Sequence, residues 1–180
     1  MILLVNGPNL NLLGEREPQI YGFTTLPEIE RMVADTCAEY GVEVKAIQSN
    51  YEGAILDFLQ EHRSEAQGVI VNPGALTHSS YALHDCLKAL PCPVVEVHLS
   101  NIHAREEWRR NDLVSPATAG QIVGLGPASY YYAALWHCQR IRASAEVSAE
   151  STEIAPEDLD IAAEELAAAP AGGGTGEYEG

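Results

Sequence analysis

Glu96 and His98 stand two residues apart in PVVEVHL (93–99), an apolar run that reads as a strand, so they share one of its faces. A carboxylate and an imidazole among Val94, Val95, Val97 and Leu99 are costly to bury unless paired. Such a pair is either a satisfied structural ion pair or part of a working site, since both kinds perturb protonation. Other polar groups collect at comparable places. Asn6 closes ILLVN (2–6) and leads into GPNLNLLG, which carries Asn9. Asn72 closes GVIVN (68–72) and leads into PGALTHSS, which carries His78. His98 leads into SNIHAREEWRR, which carries Ser100, Arg105 and Arg109. Singly, these residues have bland readings. A loop asparagine usually makes a turn or a cap. His78 alone reads as a surface residue, Tyr21 as packing, and Arg105 with Arg109 as a solvated face. Three asparagines at strand ends facing one crevice shift the reading towards a bound ligand.

The crevice follows from the elements that would carry these residues. ILLVN (2–6) is a short continuous apolar run that suits a strand buried on both faces, and Val42–Gln48, GVIVN (68–72), PVVEVHL (93–99) and a short QIVGLG (121–126) read as four further strands. Helices fall between them. Thr25 and Glu28 form a capping box ahead of Leu26, Ile29, Val33, Cys37 and Tyr40, with Gly41 as the stop. Ser49 and Glu52 suggest a second box before Ile55, Leu56, Phe58 and Leu59. Further helices are expected over Tyr81–Leu90 and Ala128–Arg142. The alternation predicts an α/β protein: a flavodoxin-like, doubly wound, five-stranded parallel sheet with helices on both faces. Ligands of such sheets bind beyond the carboxyl ends of the strands, where the polar residues collect.

Composition narrows the function. The chain has 180 residues, 46% of them hydrophobic, and a formal net charge of −16. Ten Asp and Glu and no Lys or Arg lie in 143–180; removing those ten charges from −16 leaves −6 for residues 1–142. The division expected is a catalytic domain over 1–142 and an acidic, Ala/Glu/Gly-rich tail over 143–180, disordered apart from a weak helix at Pro156–Ala169. An acidic chain lacks the basic footprint of nucleic-acid binding and suits anionic membranes poorly. No apolar run approaches the roughly 20 residues of a membrane span. MILLVNGPNL has no basic flank, so it reads as a buried strand rather than a signal peptide. Cys37, Cys86, Cys92 and Cys138 form no C-x-x-C pair and read as reduced residues of a cytoplasmic protein. The six histidines show no close helical pairing for zinc. GLGPAS lacks dinucleotide-loop spacing, and no phosphate-binding G-x-x-x-x-G-K loop is present.

Four stretches, GPNLNLLGEREPQIYG (7–22), VNPGALTHSS (71–80), VEVHLSNIHAREEWRR (95–110) and SPATAGQIVGLG (115–126), together closely resemble type II 3-dehydroquinate dehydratase. The match runs in order through nearly all of residues 1–142. The resemblance implies dehydration of 3-dehydroquinate to 3-dehydroshikimate, the third step of the shikimate pathway, without metal or cofactor. It also implies a homododecamer built as a tetramer of trimers. Tyr21 would be the base, its phenolate stabilised by Arg16 and Arg105. Asn9 would hold a water that stabilises the enolate, and His98, oriented by Glu96, would be the general acid. Asn72, Ser100 and the Leu99 amide would hold the substrate carboxylate; His78 and Arg109 would bind ring hydroxyls; Asp85 would reach across a trimer contact. Tyr51, Leu76 and His84 depart from the usual family residues, and the acidic tail has no counterpart in the family core.

The implied chemistry suits these residue types. Dehydrating a β-hydroxyketone needs a base at the α-carbon, charge stabilisation for an enolate and an acid for the departing hydroxyl. Free tyrosine titrates near about 10, so a tyrosinate at neutral pH needs roughly 4 kcal/mol of differential stabilisation. One exposed ion pair gives about 1 kcal/mol or less, so two arginines and a partly closed site are required. The Gly- and Pro-rich loop with Arg16 and Tyr21 would act as the lid. Two rivals remain at this level: a non-catalytic flavodoxin-like binding module, and an enzyme of the same scaffold for another ring.

Overall fold

A computed structural model describes residues 1–15 and 23–153. Five strands form one parallel sheet: β1 (Ile2–Asn6), β2 (Val44–Gln48), β3 (Gly68–Asn72), β4 (Val94–His98) and β5 (Gly120–Val123), in the order β2-β1-β3-β4-β5. That is the flavodoxin-like order, with its switch point between β1 and β3. Four helices flank the sheet: α1 (Leu26–Ala38), α2 (Glu52–His62), α3 (Tyr81–Lys88) and α4 (Ala128–Glu153). The expected strands and helices are present, with ends displaced by a few residues except at the end of α4.

Side-chain alternation divides the core into two halves. Ile2, Leu4, Ile70, Val95 and Val97 pack against Ile29 and Val33 of α1 and Tyr130 and Ala134 of α4. Leu3, Val5, Val69, Val71 and Val94 pack against Ile55 and Leu59 of α2 and Leu83 and Leu87 of α3. Each fully buried Leu, Ile or Val contributes roughly 1.5–3 kcal/mol, so both faces of the central strands are strongly specified. Glu96 and His98 have the parity of Val94 and turn towards the α2–α3 side.

Local signals succeed and fail for identifiable reasons. At α1 the Thr25 N–H donates to Glu28 Oε2 at 2.8 Å, as the capping box predicts, and the Thr25 hydroxyl adds a second bond to the same oxygen at 2.8 Å. The second expected box does not form. Helix α2 begins one residue after Tyr51, and the Ser49 hydroxyl is spent on Tyr51, accepting from its N–H at 2.9 Å. Helix α4 passes the expected end at Arg142 and continues to Glu153. Residues 143–153 are rich in Ala and Glu and contain no Gly or Pro to stop a helix. By compactness the chain divides into Met1–Arg142 and Ala143–Gly180. The expected weak helix at Pro156–Ala169 and the glycine-rich end lie outside the described residues.

His137 of α4 is buried against Gly68, where an added Cβ would come within 2.3 Å of its ring. Its Nε2 bonds the Val69 carbonyl at 3.0 Å, and burial pushes the imidazole down from 6.5 to about 4. The unfolded chain therefore takes up a proton that the folded chain refuses. This contribution to stability is whole above pH 6.5 and is lost as pH falls towards 4, by up to about 3 kcal/mol. His137→Gln keeps a donor for Val69, so its urea-unfolding free energy should fall less than wild type between pH 7 and pH 4.5. An equal fall in both proteins would remove His137 from the acid response.

Candidate active site

The carboxyl ends of β1, β3 and β4 open into one cleft of about 110 Å³. Two loops meet back to back at its base. Gly7 N–H donates to the Asn72 carbonyl at 2.8 Å, and a Cβ on Gly7 would lie 2.2 Å from the Pro73 carbonyl oxygen. Only glycine lets the chain after β1 approach the chain after β3 so closely. Asn9 then takes a left-handed φ of 67°, a conformation asparagine tolerates, and its N–H is held by Asn50 Oδ1 at 2.8 Å.

Of the residues singled out from the sequence, Asn9, Asn72, His78, His98, Leu99, Ser100, Arg105 and Arg109 line this cleft. Glu96 lies behind His98 and is fully buried. Asp85 is exposed on α3 and does not line the cleft. Arg16 and Tyr21 lie outside the described residues. The two arginines are not a simple solvated face: both enter the cleft, and both reach the exposed carboxylate of Glu106, Arg105 Nε at 3.4 Å and Arg109 Nε at 2.8 Å. Arg109 also lies over the Trp108 ring, 4.0 Å from its centroid. Arg105 Nη1 donates to Ser100 Oγ at 3.4 Å, which ties one cation to the end of β4. His78 Nδ1 is hydrogen-bonded to the Asn111 carbonyl at 2.8 Å, which fixes its ring edge-on to Trp108.

Behind the cleft lies a polar network. His98 Nε2 lies 2.8 Å from Glu96 Oε1, a bond the imidazole donates when Glu96 is ionised; Nδ1 is the other ring nitrogen of this cleft residue. Thr77 also donates to Glu96 Oε1. Gln121 Nε2 donates to Glu96 Oε2 at 3.1 Å and to Asp112 Oδ2. Asp112 Oδ1 accepts from the Val114 and Ser115 amides at 3.0 and 2.8 Å. Glu96 thus has hydrogen-bond partners from three segments, as a buried carboxylate requires. Atoms of Glu96, His98 and Asp112 all lie within 4.8 Å of one another, a spacing compatible with a cation. The donors aimed at both carboxylates occupy the positions a cation would need, so this donor set suits a proton-bearing network better than a metal site.

Thr77, Asp112 and Gln121 escaped the sequence reading. Gln121 is the register partner of Glu96 across the β4–β5 ladder, so a polar residue in the short run QIVG was the available signal. A buried tyrosine, Tyr130, also escaped: its hydroxyl accepts from Asn72 Nδ2 and donates to Asn6 Oδ1, both at 2.8 Å.

Comparison with known proteins assigns the lineage of this arrangement. The family described as Dehydroquinase class II matches residues 1–138. The chain belongs to the type II dehydroquinase family. It is 56% identical over 135 residues to a 3-dehydroquinate dehydratase of Anoxybacillus flavithermus, covering 74% of this chain and 90% of that protein. It is 48% identical over 147 residues to one from Thermus thermophilus, covering 81% and 99%. The crystal structure of the type II dehydroquinase from Propionibacterium acnes superposes with a TM-score of 0.74 at 39% identity, covering 77% of this chain and 95% of that one. The family match ends within α4, before the acidic tail.

Gln121→Leu tests the network. It leaves Oε2 of a fully buried carboxylate without its donor, an omission that costs about 1–3 kcal/mol. Urea unfolding should show that loss, whereas Gln48→Leu, at the far edge strand, should cost less. A Gln121→Leu protein as stable as wild type would mean that Glu96 does not depend on this donor.

Proposed function

We propose that this chain dehydrates 3-dehydroquinate to 3-dehydroshikimate, serving the third step of the shikimate pathway in the cytoplasm, with residues 1–142 as the catalytic domain. The observation that carries the proposal is the buried Glu96–His98 pair at the end of β4, opening on a cleft that also holds two guanidiniums. Family membership gives the substrate class.

In this reading the Tyr21 phenolate removes the proton α to the substrate ketone, and the electron pair passes into an enolate. Asn9 holds the water that stabilises the enolate oxygen. Collapse of the enolate expels the β-hydroxyl, which takes a proton from His98 and leaves as water. Glu96 orients the imidazole and balances its positive charge while it carries that proton. Asn72, Ser100 and the Leu99 amide hold the carboxylate, and His78 and Arg109 bind ring hydroxyls. No redox partner is needed, because the reaction moves protons and one hydroxyl only. That no helix among the described residues is long and apolar enough to cross a membrane is compatible with this setting.

Tyr21→Phe is the direct test. It removes the atom that accepts the proton but keeps the ring. Turnover, followed by the ultraviolet absorbance of the conjugated enone, should fall by roughly 10²–10⁴-fold with substrate affinity retained. Arg16→Ala and Arg105→Ala leave the phenol but withdraw a cation, so the acidic limb of the pH–rate profile should move to higher pH. Near-normal turnover of Tyr21→Phe would end the tyrosinate reading.

We further propose a homododecamer of four trimers in which Asp85 completes a neighbouring site. Its exposure on α3, away from the chain's own cleft, supports this, as do the exposed Tyr132 and Trp136 on α4. Light scattering should return roughly twelve times the 19.4 kDa chain mass. A fully active monomer at micromolar concentration would refute the shared site.

A further inference from the structure

A buried hydrogen-bond chain runs from the cleft to helix α1. Asn72 Nδ2 donates to the Tyr130 hydroxyl at 2.8 Å; that hydroxyl donates to Asn6 Oδ1 at 2.8 Å; and Asn6 Nδ2 donates to Glu30 Oε1 at 3.4 Å. Asn6 and Tyr130 have no solvent exposure, and Asn72 is 2% exposed. The chain joins the ends of β1 and β3 to α1 and α4, elements far apart in sequence. Its polarity is determined at one end. Partial burial pushes the Glu30 carboxyl upward and the Asn6 bond draws it back; when ionised it only accepts, so it then requires the Asn6 amide nitrogen, which turns Oδ1 towards Tyr130. Burial drives the Tyr130 phenol well above its ordinary range, so it stays neutral and keeps the hydrogen it gives to Asn6. Its lone pairs then face Asn72. At Asn72 the Gly74 N–H donates to Oδ1 at 3.1 Å. A flipped amide would set nitrogen against the Gly74 N–H and oxygen against the Tyr130 oxygen. The amide is therefore locked in one sense, and its second Nδ2 hydrogen is the donor left for a ligand in the cleft that Asn72 lines.

We propose that Tyr130 is a positioning residue for substrate binding, with Glu30 and Asn6 setting the direction of its hydroxyl so that Asn72 presents an N–H to the substrate carboxylate. This rests on the reading of Asn72 as a carboxylate ligand. Tyr130 touches no substrate; it acts through Asn72. Its loss therefore belongs in KM rather than kcat, because the carboxylate, although carried by the carbon that loses the hydroxyl, keeps its charge throughout and is held alike in ground and transition states. Glu30 acts as an acceptor, so a neutral oxygen at the same place should serve.

The test is steady-state kinetics with 3-dehydroquinate on the full chain, with Tyr130→Phe and Asn72→Ala made singly and together. Tyr130→Phe keeps the ring in the core. It should raise KM about tenfold, the size of one lost hydrogen bond, with kcat within about twofold of wild type. In the Asn72→Ala background it should add nothing, because the group it holds is gone. Glu30→Gln, which keeps an oxygen acceptor, should behave as wild type, and Glu30→Leu should reproduce the KM increase. Additive effects of Tyr130→Phe and Asn72→Ala, or a fall in kcat at constant KM, would overturn the proposal. If Asn72→Ala alone leaves KM unchanged, the assignment of the carboxylate to Asn72 fails, and the positioning role falls with it. If Tyr130→Phe does not fold, the Glu30→Gln and Glu30→Leu pair decides: equal KM values would overturn the chain's role.

Discussion

The carboxylate of Glu96 has no contact with water, and much of the site's architecture follows from satisfying it. An isolated charge in that position would be prohibitive; with good hydrogen bonds it is tolerable. Its partners come from the loop after β3, from β5 and from its own strand: Thr77, Gln121 and His98. The loop after β3 must therefore turn back over β4, and β5 must keep the register that puts Gln121 opposite Glu96. Asp112 extends the constraint, since Gln121 bridges both carboxylates and the Val114 and Ser115 amides hold Asp112 in turn. The imidazole that faces the cleft is the last member of this network, so its orientation follows from the whole of it.

The parallel sheet determines where such a network can open. Chain connections leave the switch point between β1 and β3 uncovered at the carboxyl ends. Gly7 and Gly74 let the two loops there pack against each other, and Asn72 becomes an inward-facing group rather than a loose loop residue. The cleft thus has two buried supports. One runs through Glu96 to Asp112 and holds the imidazole. The other runs through Tyr130 and Asn6 to Glu30 and holds the amide. Arg105 and Arg109 enter from the long β4–β5 connection, which is a series of short 3-10 turns rather than a helix.

What was legible in the sequence is what local pattern encodes. Apolar runs over the central strands and the helical spacing of Leu26, Ile29, Val33 and Cys37 announce the doubly wound sheet, because both faces of each central strand must be buried. Glu96 and His98 stood out because polar groups break an apolar run. Ser49 misled because its hydroxyl met the backbone of Tyr51 before it could cap α2. The tail's first residues read as coil because low apolar content was weighed above the helix propensity of Ala and Glu, and α4 runs on to Glu153. Thr77, Asp112, Gln121 and Tyr130 were invisible for a different reason. Thr77, Gln121 and Tyr130 meet Glu96 and Asn6 across 19 to 124 residues, and Asp112 joins them through Gln121, so only the assembled topology brings them together. The arginines of the β4–β5 connection likewise needed the fold to turn them inward. Long contiguous motifs supplied what pattern alone could not, since a resemblance carries the tertiary solution with it.

The proposed mechanism divides the labour: Tyr21 takes the α-proton, and the strand-borne imidazole, held by Glu96, protonates the departing hydroxyl. His98→Ala in D2O separates the two halves. Nuclear magnetic resonance would follow deuterium entering the α-carbon of 3-dehydroquinate, and ultraviolet absorbance would follow the enone in the same sample. The account predicts that exchange persists while enone formation falls by roughly 10²–10⁴-fold, the loss expected for a general acid. Exchange and dehydration lost together, in a folded protein that still binds substrate, would contradict it.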